Sequence, residues 1–178
     1  MADPLPFNRL RSKLNRAIAA YLVSAGAGTD DTVSPANSRQ SKGYPNTTVR
    51  ATIAKPEVPL TGIRRIIVHV SVKGSAVQEN DAVSEDVARA AFDLRLSQTA
   101  DALMQSDDGR TLRATAAAIT AAGRQLAADN PTDHADMADF TCQAWYDGGE
   151  GDAAPDETGT SWEEILIFEA VCSPANVD

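Results

Sequence analysis

The order of elements along the chain predicts an α+β fold: one helix, a long loop, two strands, two helices and two further strands. The strands form a largely antiparallel sheet of about four members, covered by helices on one face. Three observations carry this expectation. Apolar residues recur every three or four positions over 7–22, 85–103 and 110–128; they alternate over 49–53, 63–73, 140–146 and 162–172; and Gly, Pro, Asn, Asp and Ser gather between these segments. With 178 residues and an apolar share of 43%, the chain suits a single domain spanning 1–178 that needs neither metal nor disulfide to fold.

The first helix is marked by Phe7, Leu10, Leu14, Ile18, Tyr21 and Leu22, with Asp3, Pro4 and Pro6 ahead of it as capping and first-turn residues. At 100° per residue, Arg9, Lys13 and Arg16 share the face opposite that stripe, either as a solvated surface or as a dock for an acidic neighbour. Residues 24–47 hold Gly26, Gly28, Asp30, Asp31, Pro35, Gly43 and Pro45 and few large aliphatics, so an extended loop reaching out from the body is expected. Val49, Ala51 and Ile53 then alternate with Arg50 and Thr52, and Pro56, Pro59 and Gly62 end that strand. From Ile63 to Lys73 the chain places Ile66, Val68, Val70 and Val72 on one face, the clearest strand signal in the sequence.

Ser84, followed by Glu85 and Asp86, reads as a helix N-terminus. The helix behind it carries Ala88, Phe92, Leu96 and Leu103 on one stripe and stops at Asp107, Asp108 and Gly109. A third, alanine-rich helix is expected from about Arg110 to Ala128, its small side chains suited to close packing. Phe140, Cys142, Ala144 and Tyr146 alternate with Thr141, Gln143 and Trp145; residues 147–160 form an acidic, Gly-rich hairpin loop; and Trp162 to Cys172 closes the chain as a strand apolar on both faces. Such a strand belongs in the middle of a sheet or beneath a subunit contact.

Charge is sorted along the chain. Residues 1–73 hold 11 Lys and Arg against 4 Asp and Glu, whereas residues 74–178 hold 5 against 21, giving net +7 and net −16. Folding gains nothing from such a split, so it points outward, to partners. The acidic total, with a pI near 4.6, argues against general nucleic-acid binding, which requires net positive surface. The start of the chain has no basic stretch followed by an apolar core of the secretory kind, and no apolar run is long enough for a membrane span. A soluble protein of the cytoplasm is expected, with Cys142 and Cys172 as buried free thiols, although a disulfide becomes possible if their strands pair.

No residue cluster specifies a chemistry. The run from Asp147 to Glu157 is rich in carboxylates, yet Gly149 and Gly151 stand where an EF-hand loop needs ligands. His69 and His134 are the only histidines; no C-x-x-C follows His134 and Asp136 to complete a zinc deaminase pattern, and no serine sits in a nucleophile elbow. Gly26-Ala-Gly28 lacks the third glycine of a dinucleotide fingerprint and follows a helix rather than a strand. No catalytic residue, cofactor or metal is assigned.

Taken together, the N-terminal helix Asn8 to Leu22, the long loop, the strand pair from Val49 to Val72, the helical middle and the closing strand Trp162 to Val171 resemble the tail terminator proteins of long-tailed bacteriophages. The resemblance implies a virion structural protein without enzymatic activity, assembled in the host cytoplasm. It also implies a hexameric ring that caps the head-proximal end of the tail tube and meets the head connector, with phage DNA only as transiting cargo and no membrane contact. The residues that fit such subunit or partner contacts are Arg9, Lys13, Arg16, Arg64 and Arg65 on the basic side and Asp147, Glu150 and Asp152 on the acidic side. Two alternatives stay open: another neck protein, such as a head completion or connector ring, and a small acidic metal-binding domain built on 147–157.

Overall fold

A computed structural model describes residues 7–36, 43–53, 64–77, 84–151 and 160–173; within these, the side chains of 7–10, 53, 64, 65, 136, 147–151 and 173 are not described. The elements run α1 (Phe7–Ser24), β1 (Val33–Pro35), β2 (Asn46–Ile53), β3 (Arg64–Ser75), α2 (Glu85–Leu103), α3 (Arg113–Asp129), α4 (Pro131–His134), a 3-10 turn (Ala135–Met137), β4 (Thr141–Gly151) and β5 (Ser161–Ser173). The fold is α+β, with a mixed five-stranded sheet in the order β1-β2-β3-β5-β4. Every pairing is antiparallel except β1 with β2. As expected, β5 lies inside the sheet, between β3 and β4.

The fifth strand corrects the expected loop at 24–47. Ser24 is the last residue of α1, and the chain turns back at once rather than reaching outward. Gly26 adopts φ +78°, Ala27 N–H reaches back to Leu22 C=O at 2.9 Å and Gly26 N–H to Val23 C=O at 3.1 Å, a Schellman closure that only a residue free of Cβ strain accommodates easily. It delivers Ala27 and then Val33 into the core, both buried, and lays β1 beside β2. Residues 37–42 of that loop lie outside the described ones.

One face of the sheet is sealed by α1, α2 and α3. Val49, Ala51, Ile66, Val68, Val70, Phe168 and Ala170 point into this layer and meet Leu14, Ile18 and Leu22 of α1, Leu103 of α2 and Ile119 of α3. A satellite cluster joins Val72 and Trp162 to Ala88 and Phe92, and the Arg89 guanidinium lies over both rings, 5.5 Å from the Phe92 centroid and 5.3 Å from that of Trp162. Polar contacts pin the helices in register. Asn15, buried in α1, accepts the Ala51 N–H of β2 at 2.8 Å, and the Tyr21 hydroxyl donates to Ala102 C=O at 2.8 Å near the end of α2.

The third helix starts later than expected, at Arg113, because the residues before it serve β4. Leu112 N–H donates to Ala144 C=O at 2.9 Å and Tyr146 N–H to Arg110 C=O at 2.8 Å, so 110–112 covers the edge of the sheet. Gly123 lets α3 approach this end of the sheet closely: a Cβ there would stand 2.5 Å from the buried Phe140 ring. Before that segment, Asp108 accepts hydrogen bonds from the Thr111 backbone and hydroxyl, the Arg110 backbone and Ser106, which hold its carboxyl well below the usual carboxylate range. The expected acidic loop also shrinks, since β4 runs on to Gly151 past a register shift between Tyr146 and Glu150. Residues 152–159 lie outside the described ones.

Candidate interaction surface

Alternation in a strand sends every second side chain to the face away from the helices. On β3 these are Ile67, His69, Ser71 and Lys73; on β5 they are Glu163, Ile165, Ile167, Glu169 and Val171; β2 adds Thr48, Arg50 and Thr52, and β4 adds Gln143 and Trp145. All are half-buried or exposed. The pairing register arranges them in rows across the sheet. Thr52, Ile67, Glu169 and Trp145 form one row; Arg50, His69 and Ile167 the next; Thr48, Ser71 and Ile165 a third; Lys73 and Glu163 a fourth. The result is a group of large apolar side chains, with Ile165, Ile167 and Val171 along β5 and Ile67 and Trp145 on the two strands that flank Glu169.

The charge has a direction. Arg50 and Lys73 come from β2 and β3, in the basic half of the sequence, and Glu163 and Glu169 from β5, in the acidic half. Because β3 pairs with β5, the two halves meet on this face: Lys73 lies 3.4 Å from Glu163, which also accepts a hydrogen bond from the Ser71 hydroxyl. The lengthwise sorting of charge thus becomes a gradient across one surface, basic at β2 and acidic at β5.

A second apolar feature lies on the far side of the helical layer. Val87 and Leu94, each 60% or more exposed, are seven residues apart on α2 and so share a line that faces away from its buried stripe of Ala88, Phe92, Thr99 and Leu103. The sequence carried this signal as apolar residues off the main stripe, and a reading that follows the stripe passes over them.

The structure places the eight contact residues expected from the sequence in unlike surroundings. Arg16 is exposed, but Lys13 is 6% exposed, and its ammonium donates to Asp133 C=O at 3.1 Å in α4. Helical periodicity from α1 alone misplaced it because the chain after α3 folds back against this side of α1. Arg64 and Arg65 open β3 opposite Cys172 and Val171, and Glu150 pairs with Leu166 beyond the β4 irregularity. The side chains of Arg9, Arg64, Arg65, Asp147 and Glu150, and the whole of Asp152, lie outside the described residues.

Among the described residues, no group of three or more His, Cys, Asp or Glu is placed to hold a metal ion. No described helix is long and apolar enough to cross a membrane. On this surface, apolar area gains by leaving water and the charges can set the orientation of whatever meets it. No protein-family model matches the chain, and neither a curated protein nor a solved structure matches it.

Proposed function

We propose that this chain is a virion structural protein of the tail-terminator kind, which assembles head to tail into a ring, closes the head-proximal end of a phage tail tube and gives the head connector a surface to bind. The observation that carries the reading is the pair of unlike apolar patches on opposite sides of the molecule, the outer sheet face centred on Ile167 and the Val87–Leu94 line on α2. A contact between two different patches is heterologous, and such contacts close into rings when the rotation between subunits permits. The charge gradient fits the same role, since it gives each copy a preferred orientation against the next. Six copies, as in the family it resembles, would carry a large surplus of acid, and acid near a channel repels phosphate so that DNA slides through without sticking.

The test is to mix the purified protein with purified tail tubes of a long-tailed phage and image the product. A ring at one end of each tube, with the protein co-sedimenting, is expected. A chain that ignores the tubes and binds portal or adaptor would belong at another neck position, and one that stays monomeric with all of them would contradict the proposal.

A further inference from the structure

Cys142 on β4 and Cys172 on β5 stand directly opposite each other in the register, both buried on the face beneath the helices. The backbone of Cys142 fixes what kind of pair this is. Its N–H donates to the Thr120 hydroxyl of α3 at 3.0 Å, and its C=O accepts from that hydroxyl at 3.5 Å. The same edge of β4 sends Ala144 C=O to Leu112 and Tyr146 N–H to Arg110. Main-chain groups of residues 142, 144 and 146 therefore point away from β5, which makes Cys142 and Cys172 a non-hydrogen-bonded antiparallel pair. Opposed residues at such positions have Cα atoms about 4.5 Å apart and side chains closer than at the alternate positions. That spacing lies inside the roughly 4.4–6.8 Å window over which a disulfide closes without backbone movement.

The two cysteines differ in exposure, 7% for Cys142 against none for Cys172, and the Cys142 thiol donates to Gln143 C=O at 3.6 Å. Cys172 is fully buried, whereas Cys142 borders a surface groove of about 380 Å³ whose wall includes Thr111, Arg113, Ala116 and Trp145. We infer that Cys142 and Cys172 form a thiol modification site, entered at Cys142 by a low-molecular-weight disulfide of the glutathione type, which closes into a cross-strand disulfide. The steps balance. Cys142, its proton lost to solvent, attacks one sulfur of the oxidant; a mixed disulfide forms and one glutathione leaves as thiolate. Cys172 then attacks the Cys142 sulfur, its proton passing to solvent, and the second glutathione thiolate leaves; both released thiolates take up protons from water. The protein loses two protons and two electrons, and glutathione disulfide becomes two glutathiones.

The order of attack follows from the surroundings. The hydrogen bond to Cys142, then burial, push the Cys172 thiol well up, so it remains a protonated donor until a sulfur is presented to it. Arg113 lines the same groove, and its guanidinium is the cation on that wall suited to a carboxylate of glutathione disulfide. Once closed, the bond ties β4 to β5 at the base of the hairpin that holds the acidic segment, and it restricts the unfolded chain.

The experiment incubates the native full-length protein with glutathione disulfide, quenches it with acid, alkylates the remaining thiols and reads the intact mass. Parent protein is expected to lose two hydrogens with no retained glutathione and to melt several degrees higher. Cys172→Ser is expected to hold one glutathione on Cys142, and Cys142→Ser to stay unmodified while folded. If either variant fails to fold by circular dichroism, brief alkylation of the folded parent decides the order, with Cys142 labelled before Cys172. Thiols that persist in the folded parent while the urea-unfolded chain oxidises in the same buffer would overturn the inference, as would equal or earlier labelling of Cys172.

Discussion

Branched aliphatic side chains stand on both faces of β3 and β5, and the two sets have different fates. On the helix side, Val68, Val70, Phe168 and Ala170 are fully buried within the layer that the helices close. On the other side, Ile67, Ile165, Ile167 and Val171 come from the same two strands and remain only half-buried. The difference teaches that strand hydrophobicity alone does not identify the core. β5 carries large apolar side chains on both faces: the helices of its own chain cover one, and under the proposed function the other is the subunit contact.

That contrast breaks first at Phe168. Replacing it with Ala should cost about 3–5 kcal/mol, because a buried ring is lost and the packed layer collapses only partly around the gap. Urea denaturation with an unchanged slope would measure it; a loss below about 1 kcal/mol would mean that the inner face is not the core. Gly123→Ala comes next, at a net of about 0–2 kcal/mol, since the added methyl collides with Phe140 at a cost of about 1–3 kcal/mol and the roughly 1 kcal/mol gained in helix propensity offsets part of it. The same denaturation experiment checks it, and a more stable variant would show that Phe140 moves aside freely.

Ile167→Ala probes the open face of the sheet. On the half-buried face it should change monomer stability by less than about 1 kcal/mol while weakening self-association, a split that core residues do not show. Thermal melts and sedimentation of the same samples separate the two effects. The smallest effect belongs to Asp108, which lies on neither face. Its carboxyl is held low in the folded state, so it contributes stability above the ordinary carboxylate range and loses that contribution as pH falls through its folded value. Asp108→Ala should therefore melt below the parent at neutral pH, and the gap should close as the solution is acidified from about pH 4 downward.

Much of this arrangement is legible in the sequence. Alternation placed Ile66, Val68, Val70 and Val72 on one buried face, and the apolar run from Ile165 to Val171 marked an interior strand with two apolar sides. Local pattern failed where distant segments intervene. Thr32 C=O accepts from Thr47 N–H at 2.8 Å and Ala36 N–H donates to Val49 C=O at 2.8 Å, so β1 exists because β2 stands beside it; three residues, Val33, Ser34 and Pro35, carry no periodicity of their own. Lys13 reads as a surface residue by its chemistry, yet it is buried with its ammonium on Asp133 C=O of α4, a contact that α1 alone does not announce. Likewise, residues 110–112 resemble a helix start until β4 offers them hydrogen bonds. The charge split was plain in the sequence, whereas its conversion into a gradient required knowing that β3 pairs with β5.

Sedimentation of the parent beside Ile167→Glu, each across a wide concentration range at low and high salt, tests most directly whether the open sheet face is a subunit contact. Contact through this face predicts a parent that assembles and a folded variant that stays monomeric. A variant that assembles as well as the parent would contradict it.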